Sequence, residues 1–380
     1  MKRHNPWSTP ILSLCAILAV WYTPVATARR ALSTRLGRTL DARSAGLGWL
    51  DAFRASAYPP LCGGATLTEG QHAGEFVLTE AYNRSRENVT VLSGQNLKAG
   101  AVVGRVTMGV GRVSTPTVVG TGNGTASQVF AGPEVELGNY VLTCTAAVAN
   151  GGVFSLTTPS GKALPALTLT PGAGGTTVYT SRHINFSITD GSTDFAVADA
   201  FTFVVSTTAP LVIGTGNGII SGLSLGPDAK AGTYRVEVIA VVTNGGEVKV
   251  VGPDGDTVAV GFIVAGAGGT LVLANQRQLN LTITEGSTDF ALADAFNVCV
   301  FNQLAGGKAV VWTPGTYDGR HVAVGLLYDN VDASASDLPG VLITRDAEVT
   351  KADLQWGAAI TAAEKESAYL DLAARAVIAR

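Results

Sequence analysis

The acidic side chains offer the most obvious chemistry in this 380-residue sequence. One set, Asp190, Asp194 and Asp199, lies in DGSTDFAVADAF (190–201); its echo, Glu285, Asp289 and Asp294, lies in EGSTDFALADAF (285–296). Carboxylates with backbone carbonyls are what a hard cation takes. The spacing nevertheless lacks the dense Asp/Asn series of a calcium loop, and Phe195 and Phe201 beside it fit a core. The expected role is therefore local: each acid accepts hydrogen bonds from backbone amides in turns between strands. No metal and no cofactor are expected.

Other candidate groups are scattered. His4, His72, His183 and His321 form no HExxH and no nucleophile–base spacing. Arg345, Asp346 and Glu348 follow the strand-like VLITR, where a sheet edge or an intersubunit ion pair accounts for them better than acid–base catalysis. GTGNG (120–124 and 214–218) is not a phosphate loop, because such a loop follows a strand and opens a helix, whereas here it begins a β unit and reads as a turn. Cys15, Cys62, Cys144 and Cys299 show no CxxC pair, so free buried thiols are expected. No catalytic residue is assigned, and the chain is not expected to be an enzyme.

The elements that must carry these residues are strands. Charged residues are 14% of the chain, against roughly 25% in an average soluble domain, and there are 46 glycines. That mixture favours short strands and tight turns. The formal charge of −3 supplies no field for nucleic acid. Self-comparison finds a repeat: GTGNG, GPEVELGNY (132–140) against GPDAKAGTY (226–234), ANGG (149–152) against TNGG (243–246), and GAGGT (172–176, 266–270) recur at an offset of 94, which becomes 95 at the acidic motif. Within each copy apolar residues alternate, as in Tyr140, Leu142 and Cys144 against Tyr234, Val236 and Val238. Period two marks half-buried strands, and Cys144 fills a core slot.

Two flanks and an N-terminal segment remain. At the C-terminus, Thr361 and Glu364 form a capping box, Tyr369, Leu372, Ala373 and Ala376 an apolar stripe, and Asp371 can pair with Arg375, which predicts a helix. At the N-terminus, Lys2, Arg3 and His4 precede ILSLCAILAVW (11–21) with a cleavage candidate after Ala28, a signal-peptide pattern too short to span a bilayer. Six arginines (Arg29, Arg30, Arg35, Arg38, Arg43, Arg54) then stand against Asp41 and Asp51. A true presequence and a misassigned start both fit. The five Asn-X-Ser/Thr sequons, at Asn83, Asn88, Asn123, Asn185 and Asn280, signify glycosylation only in a secreted eukaryotic chain.

Read as if contiguous, the flanks resemble the lambda-type phage head decoration protein family. The residues that carry the resemblance are LTEGQHAGEFVLTEA (67–81), SRENVTVLSGQNLKAGAVVGRV (85–106), VAVGLLYDNVDAS (322–334) and VLITRDAEVTKADLQW (341–356). The resemblance implies a structural protein that binds the major capsid protein outside an expanded head as a homotrimer, with no nucleic-acid or membrane partner. It also implies an extended arm that docks on the capsid, here Leu67 to Phe76, with Leu67, Thr68, Glu69, His72, Glu75 and Phe76 as contact residues. Two departures stand out: the residues before Leu67, and a long insertion between the flanks.

The resulting expectation is a mainly β protein: a β-clip-like decoration core with a C-terminal helix, interrupted by two small sandwich-like β domains. The expected divisions are 1–66, an extension; 67–113, the arm and the first segment of the decoration core; 114–208 and 209–303, the two β repeats; and 304–380, the second segment of the decoration core. The inserted units are expected to face outward and touch host glycans weakly. The expected location is the virion surface. The alternative is a secreted bacterial adhesin of repeated β modules, for which the N-terminal signal would be genuine.

Overall fold

The computed structural model describes residues 70–380, apart from 171, 173, 267 and 303–306. The signal-like run, the arginine-rich stretch, Cys15, Cys62, Leu67, Thr68 and Glu69 lie outside the described residues. The first flank forms β1 (Val77–Glu80), β2 (Arg86–Val91), β3 (Gln95–Leu97), β4 (Val102–Val106) and β5 (Met108–Val113). The first unit contributes β6 (Thr117–Val119), β7 (Thr125–Ala131), β8 (Gly138–Val148), β9 (Gly151–Thr157), β10 (Ala163–Leu169), β11 (Thr176–Tyr179), β12 (Ile184–Thr189) and β13 (Ala200–Ser206). The second contributes β14 (Val212–Ile213), β15 (Ile219–Leu225), β16 (Gly232–Val242), β17 (Gly245–Val251), β18 (Thr257–Ile263), β19 (Thr270–Leu273), β20 (Leu279–Thr284) and β21 (Ala295–Asn302). The second flank adds β22 (Lys308–Val311), β23 (Gly325–Leu327), β24 (Val331–Ala333), β25 (Leu338–Ile343), β26 (Ala347–Val349), helix α1 (Ala362–Ala373) and β27 (Val377–Ala379). The fold is mainly β.

The flanks fold together despite their separation in sequence. A closed barrel runs in the order β2-β22-β4-β23-β25, two strands from the first flank and three from the second. Alternation along β4 divides its side chains: Val103 enters a core with Val91, Ala309, Leu327 and Leu342, while Val102 joins Phe76, Trp312, Leu326, Ile343 and the α1 residues Ala368 and Leu372. Each buried large apolar side chain contributes about 2 kcal/mol, so this second core ties α1 to the barrel. The capping box forms as the sequence predicts, with Glu364 N–H donating to Thr361 Oγ1 at 3.3 Å and Thr361 N–H to Glu364 Oε2 at 2.7 Å.

The helix is shorter than its apolar pattern suggests. It stops at Ala373; Ala376 takes a φ of 59°, and the chain ends in β27, parallel to β26. Arg375 therefore lies beyond the last turn, and Asp371 Oδ2 instead accepts from Ala323 N–H at 2.9 Å. Of the predicted stripe, Leu372 is buried while Ala373 and Ala376 are exposed.

The inserted units leave the barrel through an antiparallel ribbon. Strands β4 and β22 pair inside the barrel, from Lys308↔Val106 to Val311↔Val103, and beyond it β5 pairs β21, from Asn302↔Met108 to Cys299↔Gly111. Strand β5 also pairs β13, so both units join one 11-stranded sheet in the order β10-β9-β8-β13-β5-β21-β16-β17-β18, with β6 and β14 beside β13 and β21. A three-stranded sheet, β11-β12-β7 or β15-β20-β19, covers each half. Strand β21 serves both cores: Phe296, Val298 and Val300 face the second unit, whereas Cys299 and Phe301 are buried in the core of the first. Cys144 and Cys299 are free and buried.

Candidate functional site

The segment leading to Phe76 is held by residues from the other flank. Gln71 accepts through its carbonyl from Asn330 Nδ2 at 3.2 Å and through Oε1 from Gln355 Nε2 at 3.1 Å. Gly74 N–H donates to the Tyr328 carbonyl at 2.9 Å. Gly74 has a φ of +74°, and a β-carbon there would meet the Tyr328 ring at 2.8 Å. Only glycine fits that turn without strain. Across it, His72 N–H donates to Glu75 Oε2 at 2.8 Å and the imidazole Nδ1 lies 2.9 Å from Oε1. The amide bond, then the ring contact, holds the Glu75 carboxyl below the usual range.

Phe76 differs from its neighbours. It is fully buried among Trp312, Leu354, Leu372 and Val377, and its carbonyl accepts from Thr350 N–H at 2.8 Å. Its side chain anchors the segment and is closed to an external surface. His72 and Glu75 keep 59% and 52% of their side-chain area exposed, so they remain accessible. Gln71, Tyr328, Asn330 and Gln355 were not singled out in the sequence, because nothing local marks residues that meet only after the barrel closes.

The acidic motifs do a different job. Asp199 Oδ1 accepts from Thr121 N–H at 3.0 Å, and Oδ2 from Gly122 N–H at 2.8 Å and Ala196 N–H at 2.9 Å. Asp294 repeats the arrangement with Thr215, Gly216 and Ala291 at 3.1, 2.8 and 2.9 Å. Asp194 and Asp289 take the amides of Asn150 and Asn244 at 2.9 and 3.1 Å. The acidic motif thus clamps GTGNG and the Asn-Gly-Gly turn. Backbone amides are the partners foreseen, yet most are remote in sequence rather than local. A β-carbon on Gly120 or Gly214 would collide with the clamping carboxylate, which explains the first glycine of GTGNG.

The amides set the electrostatics. The Ala196 bond, with those from Gly122 and Thr121, holds the Asp199 carboxyl below its usual range against burial. For Asp294 burial pushes upward, but the amides of Ala291, Gly216 and Thr215 outweigh it and the net direction is down. Asp190 departs from the expected turn role: it is 4% exposed, and neither carboxylate oxygen has a hydrogen-bond partner among the described residues. The longer Glu285 reaches Phe290 N–H at 2.9 Å, while burial still raises its carboxyl. Among the described residues no group of three or more His, Cys, Asp or Glu side chains is placed to hold a metal.

Arg345, Asp346 and Glu348 do not converge. Arg345 pairs with Glu87 at 3.6 Å, Asp346 with Arg84 at 3.3 Å and Glu348 with Arg380 at 2.7 Å. These are ion pairs within the chain. Strand β26, which holds Glu348, is central in a β1-β26-β27 sheet rather than an edge. A hollow of about 380 Å³ on the barrel, lined by Glu87, Arg105, His321, Thr344 and Arg375, contains an Arg105–Glu87 pair at 2.7 Å.

The model of the family "bacteriophage lambda head decoration protein D" matches residues 66–157 and 205–377. The chain belongs to this head decoration family. The two matches take in both flanks, hence every barrel strand, and run on into strands of the two β units, leaving 158–204 between them. The anchored segment and the first GTGNG fall inside the first match, whereas Asp199, which clamps that loop, lies in the unmatched stretch. No curated protein sequence matches the chain.

Proposed function

We propose that this member of the head decoration family binds the outside of an expanded phage capsid as a homotrimer and stabilises the shell, with its two β units displayed outward. The role is structural rather than enzymatic, at the virion surface. The observation that carries it is the family match across both flanks that build the barrel. Phe76 supports a docking role for the residues before it, because its burial gives them a fixed point of departure. Residues 71–76 are themselves held in a turn against the other flank, so the chain before Gln71 is the part that can add as an extended strand to an exposed edge on the major capsid protein. In this reading Leu67, Thr68, Glu69, His72 and Glu75 contact the capsid and Phe76 anchors them.

Strand register supports outward display. Strand β5 starts at the barrel with Met108, and pairing then passes through Cys299↔Gly111 to Ile213↔Ala295 in one unit and Val119↔Ala200 in the other. The clamped loops therefore lie at the strand ends remote from the barrel. A protein that binds the assembled shell and not its dissociated subunits stabilises the shell by mass action, by about 2.7 kcal/mol per site at a free concentration of 100 times Kd.

Cosedimentation with expanded, undecorated heads tests the proposal, with light scattering reporting three chains per particle in solution. His72→Ala with Glu75→Ala should weaken binding at unchanged melting temperature. Folded trimer that fails to bind heads would sink the reading. Mass spectrometry of the mature N-terminus provides a second check: a start near Leu67 agrees with assembly in the host cytoplasm, whereas cleavage after Ala28 favours the exported adhesin.

A further inference from the structure

The 11-stranded sheet ends in β10 on one side and β18 on the other, and these edges are built differently. Strand β10 reads ALPALTL. Its Pro165 brings no amide hydrogen to the edge, and the Pro165 carbonyl already accepts from the Tyr179 hydroxyl at 3.0 Å. Strand β18 reads TVAVGFI, and at the 94-residue offset Ala259 stands for Pro165 and Leu273 for Tyr179. Both blunting groups are missing there. The outer face also changes: Ala166, Thr168 and Thr170 become Val260, Phe262 and Val264, which are 49%, 50% and 66% exposed.

An uncharged apolar strand with an unpaired backbone edge is a template for strand addition, which natural sheets avoid with proline, charge or a covering segment. Between Asp256 and Arg277 the chain has no charged residue. We propose that β18 pairs antiparallel with β18 of a second copy of this chain. A two-fold axis at Gly261 sets Phe262 of each copy beside Val260 of the other, and no like charges meet. The asymmetry of the sheet favours a second copy as the occupant. With β10 blunted, β18-to-β18 pairing is isologous and consumes both open edges, so it does not propagate along the sheet as a fibre. Pairing of this kind does not depend on capsid binding.

Sedimentation equilibrium of the full chain over rising concentration tests it. The expected result is a base assembly whose mass doubles as concentration rises. Val260→Lys, at an exposed position, should weaken doubling about tenfold, equivalent to 1.4 kcal/mol, at unchanged melting temperature. Ala259→Pro should abolish it by restoring the blunt edge. A mass that stays constant with concentration overturns the proposal, including the case in which the edge accepts only an unrelated extended peptide. Doubling that survives Val260→Lys also overturns it, and that variant decides the matter if Ala259→Pro fails to fold.

Discussion

The two β units share their internal locks and differ in what faces outward. In both, an aspartate ties three backbone amides, and a tyrosine hydroxyl accepts a backbone amide at 2.9 Å, from Glu136 to Tyr140 and from Lys230 to Tyr234. Around these locks side chains vary in compensating ways. The hydroxyl meets His183 Nδ1 at 3.2 Å in the first unit and donates to Gln278 Oε1 at 3.0 Å in the second. Glu136 bonds Ser160, whereas Lys230 pairs with Asp254. Amides are present whatever the side chain, so locks built on them survive changes that alter a face. The outer edges are free of that constraint and have diverged to Pro165 and Ala259.

The largest expected effect tests whether the units are separable. Phe301→Ala removes a buried ring from the first unit's core although the residue lies on the last strand of the second, and a loss of about 3–5 kcal/mol is expected. Hydrogen exchange should rise first in β8, β9 and β12. Faster exchange confined to the second unit would contradict the shared-strand description.

Next come the clamps. Asp199→Asn and Asp294→Asn each set an NH₂ group against two backbone donors, and a similar loss of about 3 kcal/mol is expected in each unit. Unequal losses in chemical denaturation would show that the clamps are alike only in geometry. Their pH dependence follows from sign. Both carboxyls lie below the ordinary Asp value of 3.8, so the folded state binds the proton less readily than the unfolded chain. Their stabilisation is complete above that value and is lost as pH falls through the lower folded values. The double variant should show a smaller acid-dependent drop in melting temperature. Glu285 works in the opposite sense: burial raises it above 4.5, so its contribution is present below 4.5 and is lost as pH rises through the folded value.

A smaller effect concerns the one unequal lock. Asp190→Glu should let the carboxylate reach Phe195 N–H as Glu285 reaches Phe290, and a gain of about 1 kcal/mol is expected. A lower melting temperature would show that the Asp190 site has no room for the extra methylene. The smallest effect on stability is expected from Pro165→Ala, at an exposed position, which returns an amide hydrogen to the second sheet edge. Its readout is assembly: with both edges open, closed pairs should give way to longer chains in sedimentation velocity.

Much of this fold was legible in the sequence because it follows from local period. Alternation of Tyr234, Val236 and Val238 marks β16, and Thr361 with Glu364 marks the start of α1. Backbone amides were the foreseen partners of Asp194 and Asp199, since short acids in turns seek donors. The distance of those donors was not foreseen, because a turn motif carries no record of which other turn it will face. In sequence Phe76 fits a docking arm for a related reason: an apolar residue at the start of a domain looks alike whether it meets a partner or its own core. The end of α1 was misplaced because an apolar pattern continues into β27 without a break in composition.

What the sequence determined alone is a β class with alternating strands such as β8 and β16, the duplicated motifs with their glycine and aspartate pairs, and the flanks that carry the family pattern. These depend on side-chain period and on turn chemistry, both confined to a few residues. Tertiary structure alone decided that β5 and β21 join two repeats into one sheet, that Cys299 and Phe301 belong to the other unit's core, and that one sheet edge is blunted while the other is open. Each of these depends on which strand lies beside which, and pairing between distant strands is settled by the burial of a whole face, a quantity that no single segment contains.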